Sequence, residues 1–199
     1  AGGIPVIKAL REGLAANSVN AVYGILNGTC NFILSTMTAT GRAFDDVLTE
    51  AKALGYAEAD PTFDIDGMDA AHKLALLGAL AFGGMPDVGT IKVSGIRHVS
   101  ALDIAFAREL GYRIRLLGIA KRSGAGIEIV EACLVPDTSP LATVEGPLNA
   151  VYIDTDYASK ILLTGAGAGG NATASAVVSD LIDIARGHRL PLLGNAHAT

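Results

Sequence analysis

Four segments in the second half of the chain, Arg113 to Lys121, Gly126 to Val135, Ala150 to Thr155 and Lys160 to Leu163, carry strand-forming residues. The connections between several of them are short, which favours antiparallel pairing, because a parallel return needs a long crossover. Thr90 to Ile96 and Val19 to Leu26 read as further strands. Between them lie helical patterns: Pro5 to Ala16 with Val6, Leu10 and Leu14 on one side, Ala43 to Leu54 closed by Gly55, Met68 to Phe82 closed by Gly83-Gly84, and Ser100 to Leu110. Asn27-Gly28 breaks the first strand, and Thr29 is expected to cap a helix through Phe32, Ile33 and Met37. A final helix spans about Ala172 to Arg186. The expected fold is α+β: a mixed, largely antiparallel sheet with helices packed on one face. Residues 1–189 form one domain, and 190–199 read as a linker or tail.

A chain of 199 residues can bury a real core. Half of it is apolar and only 18% is charged, so some surface is expected to be covered by a sister subunit or another domain. The mean hydropathy is high, +0.42, yet no apolar run reaches the roughly 18 residues of a membrane span. A net charge of −5 without a long basic stretch argues against nucleic acid. Cys30 and Cys133 are far apart and apolar-flanked, and read as free thiols of a reducing, cytoplasmic compartment. The four histidines show no ligand spacing with them, and the opening Ala1-Gly2-Gly3-Ile4-Pro5 resembles no targeting peptide. The chain therefore reads as a piece that starts inside something larger.

Chemistry concentrates between residues 55 and 73. Glu58, Asp60, Asp64, Asp66 and Asp69 crowd one stretch, expected to be irregular as far as Asp66. Most such runs are solvated loops. A calcium loop is a weak option, since Asp64-Ile65-Asp66-Gly67 lacks the third ligand and the distal Glu. Asp69 and Lys73 stand at i and i+4, the spacing of an ordinary helix ion pair. The rest of that helix is almost wholly apolar apart from His72, which places the pair in or near the core. There a charge pair is costly unless well hydrogen-bonded or functional. A lysine held partly out of water is a candidate general acid–base.

Ala53-Leu54-Gly55-Tyr56-Ala57-Glu58-Ala59-Asp60-Pro61, then Asp64-Ile65-Asp66-Gly67-Met68-Asp69 and Lys73, resembles the signature segment of homoserine dehydrogenases in residue types and spacing. Asn27-Gly28-Thr29-Cys30-Asn31-Phe32-Ile33-Leu34 is similar to the family's substrate-side loop and helix. The resemblance extends from Gly2-Gly3-Ile4-Pro5 to the stretch Gly165 to Val177. It implies Lys73 as the carrier of the substrate hydroxyl's proton and Asp69 as the group that orients it. It implies Glu58 as the carboxylate, taken to be buried, that receives the substrate ammonium, with Gly55 and Asp64 close by. Thr29 would lie where substrate and nicotinamide meet. The implied reaction is reversible reduction of aspartate 4-semialdehyde to homoserine with NAD or NADP, by a homodimer.

Gly165, Gly167 and Gly170 fit a dinucleotide fingerprint literally, but only about a dozen residues follow the next helix, too few for a Rossmann half. The resemblance instead lays this loop against a cofactor held mainly by a nucleotide domain outside this sequence, with Gly169 at the contact. A tight turn packing helix on strand is the plain alternative. Gly2 and Ile4 match backbone positions that help hold a monovalent cation such as Na+, completed by a carboxylate that would precede residue 1. Without a nucleotide domain the chain is expected to turn over negligibly. Two rival readings stand beside this one: a dimer scaffold built on the strands from Arg115 to Val135, and a dehydrogenase of another semialdehyde or sugar acid, for which a carboxylate at Glu58 would have no use.

Overall fold

A computed structural model describes residues 2–122 and 126–188. The tail at 190–199 lies outside the described residues. Six strands form one sheet: β1 (Val19–Ile25), β2 (Lys92–Val93), β3 (Tyr112–Lys121), β4 (Ile127–Pro136), β5 (Leu148–Thr155) and β6 (Lys160–Ala166), in the order β2-β4-β3-β1-β5-β6. All neighbours pair antiparallel except β2 with β4, so the sheet is mixed as expected. β3 and β4 align over their whole lengths, from Tyr112 opposite Pro136 to Lys121 opposite Ile127.

Side chains alternate across this sheet with period two. Ile114, Leu116 and Ala120 of β3 enter one core with Val22, Val130, Val151 and Ile153. Leu117 joins Ile25, Val135 and Ala150 in a smaller cluster on the opposite face. The larger core lies under α2 (Gly28–Thr40) and α5 (Met68–Phe82), with α3 (Phe44–Ala53) and α6 (Ala101–Glu109) beside them. The small helix-free cluster is closed by a 3-10 turn at Pro140–Thr143. The sheet thus carries its helices on one face, with the exception of α7 (Gly170–Ala185), which has no buried residue.

Several local expectations are corrected. The opening segment does bury Val6, Leu10 and Leu14, but as a single α-turn, α1 (Val6–Lys8), followed by a π-turn at Ala9–Gly13. Its register slips because Leu14 N–H donates to Ala9 O, five residues back. The strand expected over Thr90 to Ile96 shrinks to β2. Asp87 accepts from Gly89 N–H and forms a turn before it. After Ser94, Ile96 N–H leaves the sheet for Ile65 O, 2.8 Å away, tying the segment to the acidic stretch. That stretch is less irregular than expected, since it contains the short α4 (Thr62–Ile65) behind Pro61.

Candidate active site

The end of β1 delivers Leu26 and Asn27 to the start of α2. Asn27, not Thr29, caps this helix: its Oδ1 accepts from Cys30 N–H at 2.8 Å while its backbone stays extended. Its Nδ2 donates to Asp64 Oδ1 (2.7 Å) and to Asp69 Oδ2 (2.8 Å). Lys73 Nζ donates to the same Asp69 oxygen at 2.6 Å and to Leu26 O at 3.0 Å. Thr29 is the second residue of α2, where its hydroxyl donates to Tyr56 O at 2.6 Å and stands 3.3 Å from Asp64 Oδ2. Lys73, Asp69, Asn27, Asp64 and Thr29 therefore form one continuous network.

Helix α5 places the ion pair on the rim of the core. Ala70, Ala71, Leu74, Ala75, Leu77, Gly78 and Ala79 bury one side, while the Lys73 and Asp69 side chains keep 35% and 22% of their exposure. The pair is thus half-buried at the edge of the core, and most apolar residues of α5 face inward. Lys73 and Leu26 line a cavity of about 500 Å³ bounded by Gly2 to Lys8, by Leu76 and by Ser175 to Asp180 of α7. That volume lies in the range of small-molecule sites.

The five carboxylates of the acidic stretch have separate fates. Asp60 accepts from Thr62 N–H and forms a turn. Asp66 pairs with Arg97, which also reaches Thr62 Oγ1 at 3.1 Å. Asp69 belongs to Lys73. Asp64 has no cationic partner among the described residues; its side chain accepts from Asn27, with the Thr29 hydroxyl 3.3 Å from its other oxygen. Glu58 is exposed and outside the network, which corrects the expectation of a buried carboxylate. It follows the turn at Gly55, where Tyr56 and Ala57 N–H both bond back to Ala51 O and only Ala57 is inserted into the core. Gly55 itself is an exposed turn residue after the Leu54 C-cap. Gly67 joins α4 to α5 with φ +89, and a Cβ there would stand 3.0 Å from Val93 Cγ1. Only glycine meets both demands cheaply.

Cys30 lies beneath this network with its Sγ 3.2 Å from Asp64 O. Burial first, then the Asp64, Asp69 and Asp66 charges, pushes its thiol well above the ordinary range. It is a packing residue, not a nucleophile.

The Gly-rich loop does follow a strand and precede a helix, but β6 runs antiparallel to β5, so no Rossmann unit is built on it. Gly169 adopts φ +113 with open space where a Cβ would be. The loop is zipped to the opening segment, Gly2 N–H donating to Gly167 O at 2.7 Å and Gly3 N–H to Ala166 O at 3.1 Å. It thereby borders the cavity wall. Ile4 O accepts from Val6 N–H at 2.7 Å, so this carbonyl of the expected cation site already serves a local turn.

The residue that sequence reasoning passed over is Asn27, read as a strand breaker. Its position directly before a helical pattern was a capping signal; its grip on two carboxylates had no local signal.

Comparison with known proteins agrees with this geometry. The homoserine dehydrogenase family profile matches residues 5–182. A homoserine dehydrogenase of Neisseria gonorrhoeae is 54% identical over 97% of this chain and 46% of its own length. The crystal structure of one from Thiobacillus denitrificans superposes with a TM-score of 0.92 at 54% identity, over 96% of this chain and 46% of that one. A hyperthermophilic archaeal homoserine dehydrogenase in complex with NADPH gives 0.79 at 33% identity, over 94% and 54%. The chain spans about half the length of the curated relatives it matches, and it belongs to the homoserine dehydrogenase family.

Proposed function

We propose that residues 1–189 are the substrate-binding and catalytic unit of a homoserine dehydrogenase that interconverts L-aspartate 4-semialdehyde and L-homoserine with NAD or NADP. The carrying observation is the network Lys73–Asp69–Asn27–Asp64, whose lysine lines a cavity. Two of the three donor directions at Lys73 Nζ are set by Asp69 Oδ2 and Leu26 O. The third is left for the substrate oxygen, where Nζ takes or returns the hydroxyl proton. Asp69 keeps Nζ in place.

Asp64 and the exposed Glu58 add negative charge that no cation among the described residues pairs with, which suits the ammonium of a zwitterionic amino acid. Thr29 holds the Tyr56 to Glu58 segment over the start of α2. The nicotinamide, when bound, supplies or accepts the hydride. The residues present fit its approach: Gly169 leaves backbone bare, and its loop is bonded to Gly2 and Gly3, which line the same cavity as Lys73. A homodimer is supported by the sheet face that no α-helix among the described residues covers, where Tyr23, Ile119, Tyr152 and Leu162 remain only partly buried. A cytoplasmic location is supported by the two free thiols.

The test is a chimera in which this chain replaces the matching half of the Neisseria gonorrhoeae relative. It should reduce NAD+ or NADP+ in a homoserine-dependent manner, while the isolated chain should turn over negligibly. A folded chimera without homoserine-dependent turnover would sink the proposal, and so would a robustly active isolated chain.

A further inference from the structure

Asn27 is 5% exposed and its amide is fully committed: the oxygen to a helix N-terminus, the nitrogen to two carboxylates. The orientation is unique. Turned over, the amide would set its oxygen against Asp64 and Asp69 and its N–H group against Cys30 N–H. Two carboxylate oxygens that share one nitrogen cannot be further apart than two hydrogen bonds laid end to end, and at that range like charges repel. A neutral group with two N–H donors is the one kind of side chain that offsets this without adding a charge. Lysine or arginine here would compete with Lys73 for Asp69, and a carboxylate would add a third negative charge.

We infer that Asn27 is a positioning residue of the active site: its amide clamps Asp64 and Asp69 together, so that Asp69 holds Lys73 for proton transfer while Asp64 faces the substrate's cationic group. The clamp also links the two substrate contacts mechanically. Leu26 O and the Asn27 side chain are consecutive, so the same turn of backbone sets the proton carrier and the carboxylate pair. This inference rests on the function proposed above.

The test uses the same chimera and two variants that spare the helix cap. Asn27→Asp keeps an oxygen for Cys30 N–H but has no donors, and Asn27→Gly removes the side chain at a position where glycine costs a helix little. For Asn27→Gly the thermal midpoint should stay near that of the parent, whereas the added like charge of Asn27→Asp should lower it. Expected for Asn27→Asp is at least a tenfold loss of kcat, with the acid limb of its pH profile moved up, because the substitution sets a third carboxylate beside the other two. Asn27→Gly should lose kcat similarly and raise the KM for homoserine. A merely capping Asn27 predicts kcat within twofold of the parent and an unmoved acid limb in Asn27→Asp, and that result overturns the inference. Should Asn27→Asp not fold, Asn27→Gly decides by kcat and KM alone. An inactive parent chimera would instead count against the proposed function.

Discussion

Helices α5 and α7 are of nearly equal length and both apolar, 15 and 16 residues long, yet one lies in the core and the other outside it. The small residues Ala70, Ala71, Ala75, Gly78 and Ala79 let α5 lie close on β1, β3 and β4, with Leu74 fully buried among them. α7 touches the rest of the molecule at its edge, through Ala172 against Gly3 and through Lys8, which reaches Ser179 and Asp183. Val177, Val178, Leu181 and Ile184 stay exposed, Ile184 by 71%. The difference teaches that apolar content alone does not place a helix. Both helices hold small residues, but only α5 turns them onto the core, which leaves Asp69 and Lys73 at its rim.

The sharpest way to break this contrast is at that rim. Lys73→Ala in the chimera should lower kcat by about 10²- to 10⁴-fold, the usual worth of a positioned acid–base group, with an unchanged circular dichroism spectrum. Activity within tenfold of the parent would show the rim to be structural only. Next in size, Leu74→Ala removes a fully buried side chain beneath Lys73 and should cost about 2–5 kcal/mol in urea unfolding of the isolated chain. A smaller loss would mean that α5 is not the packed element.

The two thiols sharpen the comparison by pH. Burial, then Glu131, pushes Cys133 up to about 11 from an ordinary 9.0, and Cys30 also lies well above its ordinary value. The folded state holds these protons longer than the unfolded chain, so their contribution is complete below pH 9.0 and is lost as pH rises towards 11. Urea midpoints should therefore fall across that window. Iodoacetamide at pH 8 should label Cys133 slowly and Cys30 only on unfolding; fast labelling of Cys30 would contradict its place under the network. The smallest effect belongs to α7. Leu181→Ser should change the stability of the isolated chain by no more than about 0.5 kcal/mol, and a loss comparable to that of Leu74→Ala would erase the distinction between the helices.

Much of the site was legible because its signals are local. Met68–Phe82 matches the expected helix at both ends, since Gly67 and Gly83 bracket it and neither favours helix propagation. The Asp69–Lys73 pair follows from helical geometry alone. Misreadings arose where a distant contact outweighed a local preference. Thr29 had the chemistry of a cap, but Asn27 reached that position first and freed the threonine for Tyr56 O. β2 stopped short because Ile65 O captured Ile96 N–H. Glu58 came out exposed because the chain inserts its neighbour Ala57 into the core.

The acidic stretch and its lysine helix were therefore determined by sequence as a list of groups: five carboxylates, a turn glycine and an ion pair one helical turn apart. Only the tertiary structure sorted them. Asn27 lies 37 residues from Asp64 and 42 from Asp69, and Arg97 lies 31 from Asp66. Contacts at such separations depend on the path of the whole chain through the sheet, whereas periodicity and spacing report on a few turns of backbone. Helix geometry makes Asp69 and Lys73 neighbours in any fold that keeps the helix. It takes this fold, with β1 ending beside α5, to hang both carboxylates on one amide and set the lysine at the mouth of a cavity.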